Sequence, residues 1–332
     1  MIRDIPLLLM IAVLPGCKSE ERVDNVLARL VPADSVSLFG ARMDQLKGTP
    51  LYQKLVVQQK LDSLDEFAVT TGFDPRRDVR NLLVASSAKS KSGVLLARGS
   101  FHISSEIIAK ANGIRKLSYR GYTIWSNTAQ EAGFCILDPS LAVAGPVASI
   151  HEALDQYKTG DLKTTAVLIG KAQSVPVQYQ LWAVSLGGAD FLANNMPETG
   201  NAANFGKIFR SIENTFFEAD LSHGLNAMAQ GNCHTAADAK NLADAVKGLV
   251  GFGRLSVPDN QPELLRIWDN IQVERMERNI KISANIPQEL IDRLVQLFGP
   301  ASGMQKGSSP RKSSGPASGA ESHPPESKPL PR

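Results

Sequence analysis

A chain of 332 residues, 43% hydrophobic and 21% charged, can bury a sizeable core and is neither a disordered nor a membrane-embedded composition. Its formal net charge of +3 sits at one end: between positions 299 and 332, Lys306, Arg311, Lys312, Lys328 and Arg332 outweigh Glu321 and Glu326, while Arg3 and Asp4 cancel near the start. The intervening body is formally neutral and has no basic-aromatic interleaving, which argues against nucleic acid as a partner, since that affinity rests on neutralised phosphates.

Positions 5–14, IPLLLMIAVL, are ten consecutive apolar residues behind Arg3, followed by Pro15, Gly16 and Cys17. About 20 residues are needed to cross about 30 Å of hydrocarbon as a helix, so the run reads as the apolar region of a signal peptide on an exported chain. A plain signal peptide cut near Gly16, an uncleaved anchor and an apolar N-terminal strand are the other readings of the same residues. Leu14, Gly16 and Cys17 resemble the lipobox of bacterial lipoproteins, with Pro15 departing from the small residue usual at its place. The resemblance implies loss of residues 1–16, diacylation of the Cys17 sulfur with palmitate-type chains, and attachment to a lipid bilayer on the periplasmic side of the cell envelope. Two acyl chains hold a soluble body to a membrane for long times where one does not. Lys18 stands where an aspartate retains many lipoproteins at the inner membrane, which points to the outer one.

Positions 17–34 read as a polar tether and one short helix, and the body follows as α+β. A strand is expected from Ser35, stopping at Asp44 as a helix N-cap; Thr49-Pro50 is a second, sharper helix start. Phe73-Asp74-Pro75 reads as a turn. Positions 79–86 and 93–100 form an antiparallel pair across a polar loop, and Ser104 caps a short helix. Hairpins follow around Arg120-Gly121 and Asp138-Pro139-Ser140, and then a helix carries Val147, Ile150, Leu154 and Tyr157 on one stripe up to Gly160. A linker is expected at 161–177. Beyond it come a strand at 178–186, helices at 190–195 and 205–212, and strands at 215–221 and 225–231. Thr235 and Asp238 then make a capping-box start for a helix burying Leu242, Val246, Leu249 and Val250. Pro262 opens a helix through Ile271, strands at 272–276 and 280–284 form a hairpin, and Pro287 opens the last helix. Positions 299–332 are Pro, Ser and Gly with hardly a large apolar residue, a composition that stays disordered.

The second half repeats the grammar of the first. Leu181-Trp182-Ala183 answers Leu38-Phe39-Gly40, and ARGSFH at 97–102 answers AQGNCH at 229–234, offsets of 143 and 132 residues. Two tandem units, each an antiparallel sheet with helices and spanning 35–160 and 178–298, fit those offsets. With the lipobox and the phrase TGFDPRRDV at 71–79, the layout is similar to a class of uncharacterised bacterial envelope lipoproteins built of repeated α+β units. That resemblance implies no activity, no cofactor and no catalytic residue.

Signatures of catalysis are missing: the chain has no phosphate loop, no His-Glu-x-x-His, no Cys-x-x-Cys and no Gly-x-Ser-x-Gly. His102 and His234 occupy matching places in the two units and could face one another around a metal, with Cys233 or Glu106 as further ligands; alternatively each imidazole helps begin the helix behind it. His151 with Glu152, and Asp62, Asp65 and Glu66 beside Lys60, read as solvated helix faces. With Cys17 acylated, Cys135 and Cys233 are left in an oxidising compartment, where they form one disulfide or stay as buried thiols. The expectation is a non-catalytic binding module for an envelope protein or a small apolar ligand. The alternative is a hydrolase or metal-dependent enzyme whose site is assembled from residues distant in sequence.

Overall fold

Apolar and β-branched runs build strands along the described residues, interleaved with helices. A computed structural model describes residues 22–58, 65–66, 68–69, 72–87, 93–102, 105–110, 113–187, 206 and 208–298. The leader with Cys17, the loop at 88–92, Ser104, the helix expected at 190–195, and the tail at 299–332 with His323 lie outside the described residues.

The short helix expected within 17–34 is present, and its residues enter the core. Asp24 accepts the Val26 and Leu27 amides at 2.8 and 3.1 Å to start α1 (Asn25–Ala28). Val23, Leu27, Leu30 and Val31 are at most 2% exposed. After β1 (Ser35–Arg42), helix α2 (Met43–Leu46) begins one residue before the expected cap, so Asp44 lies in its first turn. Thr49 caps α3 (Pro50–Tyr52), accepting the Tyr52 amide at 3.3 Å, and a wide π-type turn, Gln53–Val57, follows. The expected turn at Phe73 leads instead into α4 (Pro75–Asp78), because Asp74 accepts the Arg76 amide and Pro75 has no amide to satisfy.

Strands β2 (Val79–Ser87) and β3 (Val94–Gly99) pair antiparallel, and α5 (Ser105–Lys110) follows. Strands β4 (Ile114–Tyr119) and β5 (Tyr122–Asn127) meet through Arg120 and Gly121, whose φ angles of 52° and 84° give the turn that suits the twist of a hairpin. Next come β6 (Ala132–Asp138), β7 (Leu141–Pro146) and α6 (Val147–Thr159), which buries Val147, Ile150 and Leu154 and closes on left-handed Gly160. The expected linker holds α7 (Ala166–Gln173); Leu168, Ala172 and Val175, spaced four and three apart, are buried against the sheet.

Strands β8 (Leu181–Ser185), β9 (Ile212–Asp220) and β10 (Gly224–Cys233) precede α8 (Ala236–Leu255), which opens with the reciprocal Thr235 and Asp238 bonds. Its buried face is Ala239, Leu242 and Ala243 rather than the longer stripe expected, and Leu249 is 49% exposed. A 3-10 turn, Pro262–Leu264, leads into α9 (Leu265–Asp269), and Ile271 already belongs to a strand. The hairpin β11 (Ile271–Met276) and β12 (Asn279–Pro287) and helix α10 (Gln288–Phe298) complete the chain.

Among the described residues twelve strands form one sheet, in the order β11-β12-β10-β9-β8-β1-β2-β3-β7-β6-β5-β4, and every adjacent pair is antiparallel. Helices α1, α6 and α7 cover one face of the first half, over Leu38, Leu83, Leu96, Cys135, Val143 and Trp182. Registration carries that face from Leu38 to Val184, Phe216, Gln230 and Lys281. In the second half the helices lie on the other side: α8 covers Ile212, Cys233 and Ile280, and α9 and α10 cover Ile286. Among the described residues, each half therefore leaves the opposite face of the sheet without long helices.

Candidate functional site

On the uncovered face of the first half lies a cavity of about 500 Å³. Its floor is the second phase of the strands, with Leu82 on β2, Leu95 and Ala97 on β3, Ala142 and Ala144 on β7, and Phe134 and Ile136 on β6. Its wall is Met43, Tyr52, Val56, Phe73, Pro75 and Phe101. Strands with a helix on one side only should alternate apolar and polar, yet here both phases are apolar, as if something else completed the core.

Local chemistry holds the wall in place. The Asp74 amide donates to Asp78 at 2.8 Å while Asp74 caps α4, so the turn closes on itself. Lys47 spans from the end of α2, donating to the carbonyls of Arg77 at 2.7 Å and Val79 at 2.6 Å; burial pulls its ammonium below the ordinary lysine value. Beyond β3 the Ser100 amide donates to the Asp78 carbonyl at 2.9 Å and the Phe101 amide to the Pro139 carbonyl at 2.7 Å. A Cβ at Gly99 would stand 2.4 Å from that Asp78 carbonyl, so only glycine permits this crossing. These ties bring the Phe73 and Phe101 rings to 5.4 Å between centroids, tilted by 35°.

The rim carries charge that is already spent. Arg76 holds Asp74 at 2.9 Å and Asp65 at 2.8 Å, and this contact keeps the Asp74 carboxyl below the usual carboxylate value. Asp65, expected on a solvated helix face, is thus part of the rim. Burial, and then Asp74, push the Tyr52 phenol up, so it is a neutral hydroxyl near pH 7 that reaches the Arg76 carbonyl at 3.5 Å.

A second hollow, about 630 Å³, lies on the uncovered face of the second half, between Lys171, Asn214, Phe216, Glu218, Met228, Gln230, Asn232, Glu274, Met276 and Lys281. It is polar. Glu218 is 5% exposed; burial raises its carboxyl, opposed by the Tyr179 hydroxyl that donates to it and by the charge of Arg22. Lys171 donates to the Ser185 carbonyl and the Asn214 side chain, both at 3.2 Å, and burial lowers its ammonium.

The residues singled out from sequence do not converge. His102 and His234 follow β3 and β10, which lie five strands apart and run in opposite directions, so the two imidazoles sit at opposite ends of the strands. His102 is exposed and bonded to Ser100 Oγ at 3.1 Å, and Thr235 rather than His234 caps the following helix. Among the described residues no His, Cys, Asp and Glu group is arranged to hold a metal. Cys135 and Cys233 are both free and buried, contrary to the disulfide. They belong to separate clusters on opposite faces, seven inter-strand steps or about 34 Å apart along the sheet, far beyond bridging distance. Burial pushes the Cys135 thiol up to about 11. His151, expected on a solvated face, stacks on Tyr119 at 3.8 Å.

No family model and no curated protein matches the chain. Among solved structures it is similar to TP0453 in crystal form I, at 10% identity and a TM-score of 0.42, over 81% of this chain and 95% of that one. Crystal form IV of TP0453 gives 10% identity and a TM-score of 0.44, over 82% and 96%.

Proposed function

We propose that the protein is a non-catalytic binding module, anchored to a membrane of the cell envelope through acylated Cys17, whose apolar cavity takes a small neutral ligand. The observation that carries this reading is the cavity: about 500 Å³ is an ordinary size for a ligand site, and its floor and wall are aliphatic and aromatic side chains. Arg76 is the cation among the lining residues, and two carboxylates already neutralise it, so a neutral molecule suits the site better than an acid. The order of strands, with β1, β2, β3 and β7 mirrored by β8, β9, β10 and β12, supports two tandem units merged into one sheet. The units would have diverged in the β4–β5 hairpin and in the face their helices cover.

Titration with a neutral naphthylamine dye tests the site. Saturable one-to-one binding is expected, and Ala142→Trp, which fills the floor, weakens it at least tenfold. Absence of saturable binding, or equal binding by Ala142→Trp, overturns the reading.

A further inference from the structure

The chain emerges from the structure at one defined place. The Arg22 amide donates to Gln173 Oε1 at 2.8 Å, its Nε to the Val175 carbonyl at 3.2 Å and its Nη1 to the Tyr179 carbonyl at 2.7 Å. Gln173 also donates to the Val23 carbonyl at 3.0 Å, so the end of α7 brackets the peptide on both sides. From Cys17 to Arg22 there are five residues, and a fully extended chain of that length reaches about 18 Å. An acyl group on Cys17 would therefore hold the end of α7 within one tether length of the lipid surface.

The surface at that place has a matching chemistry. Its charges are mixed: Asp161 stands beside Lys163, Glu20 and Glu21 follow Lys18 on the tether, and Lys171 is turned inward to the Ser185 carbonyl and the Asn214 side chain. Val167 is 70% exposed and Val177 38%, and Ala166, Gly170, Gln173, Ser174, Pro176 and Gln178 are exposed between and beside them. Exposed apolar and uncharged ground at the end of a short acylated tether suits contact with a bilayer surface.

We propose that the outer side of α7 and the following residues 174–178 form the surface on which the anchored protein rests against the lipid bilayer. This placement builds on the acylated Cys17 of the preceding reading and adds an orientation to it. The face of the sheet under α7 then looks toward the membrane, and Ser118, on the opposite face at β4, looks away from it.

The test uses the full-length chain carrying Val167→Cys, Val177→Cys or Ser118→Cys, reconstituted in phosphatidylglycerol and phosphatidylethanolamine vesicles, with the unsubstituted protein as the blank for buried thiols. Intact mass reports whether Cys17 carries lipid, and an unmodified cysteine there overturns the anchoring itself. Given acylation, labelling by a bulky polyethylene-glycol maleimide at positions 167 and 177 should slow at least tenfold in vesicles relative to detergent, with Ser118→Cys, six strand steps away, unchanged. Equal labelling in vesicles and detergent at both positions, or equal protection at all three, overturns the orientation while leaving the anchor in place.

Discussion

The two halves of the sheet each lack a helical cover on one face, and they deal with it in opposite ways. In the second half the uncovered phase interleaves exposed Gln230, Glu274 and Lys281 and half-buried Asn214 and Asn232 with Phe216, Met228 and Met276, and buries Glu218 among them. In the first half the uncovered phase is Leu82, Leu95, Ala97, Phe134, Ile136 and Ala142, residues of an interior, roofed by Tyr52, Phe73 and Phe101 without being filled. A missing helix therefore does not by itself make a binding site. What sets the first hollow apart is apolar surface that its own chain leaves incompletely packed, and such surface gains most from a ligand.

The sharpest test of this difference uses neighbours on one strand. Leu96 is 0% exposed on the helix-covered face, whereas Leu95 points to the cavity. Leu96→Ala leaves a sealed void and should cost about 3–5 kcal/mol, while Leu95→Ala only widens an existing hollow and should cost about 1 kcal/mol. Urea unfolding of both variants measures the gap. Equal costs would mean that the hollow is packed as tightly as the core, and the contrast between faces would disappear.

A smaller effect separates the centre of the sheet from the helical layer of the second half. Both regions press an indole onto a glycine: a Cβ at Gly40 would lie 2.1 Å from the Trp182 ring, and one at Gly253 2.4 Å from the Trp268 ring. Trp182 is 2% exposed and locked between β1 and β9, while Trp268 is half-buried and free to swing outward. Gly40→Ala should therefore cost about 2 kcal/mol and Gly253→Ala under about 1 kcal/mol, since overpacking hurts most where the neighbour cannot move. The same unfolding assay reads both.

Local signals carried most of the elements and little of the site. Thr49-Pro50, Thr235 with Asp238, Gly160 and Arg120-Gly121 each act within four residues, so the sequence order alone specifies them. Expectation and structure part where a short apolar spacing competes with polar neighbours. Leu168, Ala172 and Val175 sit among Lys, Thr, Ser and Gln, a setting that reads as a linker, and the charged start of the segment masks Val23, Leu27 and Leu30. The cavity could not be placed at all without topology. Its floor joins strands 2, 3, 6 and 7, and its wall draws on Met43, Phe73 and Phe101, which only the long-range pairings bring to one face. One signal was present: positions 82–85, 94–97 and 141–144 are apolar in both phases, which a sheet covered by helices on one side does not require.

The least of the expected effects is the most diagnostic, because the two hollows should answer acid with opposite signs. At the apolar rim, Arg76 depresses Asp74 below its unfolded value of about 3.9, so the stabilisation is present above that value and is lost as pH falls through the folded one. In the polar hollow, burial raises Glu218 above its unfolded value of about 4.3; the folded state binds the proton more tightly, and stability falls as pH rises through that window. Asp74→Asn should therefore lower Tm at pH 7 and converge on the parent below about pH 4. Glu218→Gln keeps an acceptor for Tyr179 but removes a charge from a 5% exposed site, so it should raise Tm by about 1–2 °C at pH 7, an advantage that vanishes near pH 4. Calorimetric scans between pH 2 and 7.5 resolve the two slopes. A Glu218→Gln protein less stable than the parent at pH 7 would show that the attraction of Arg22 outweighs burial there, and that the second hollow, like the first rim, is held together by its charges.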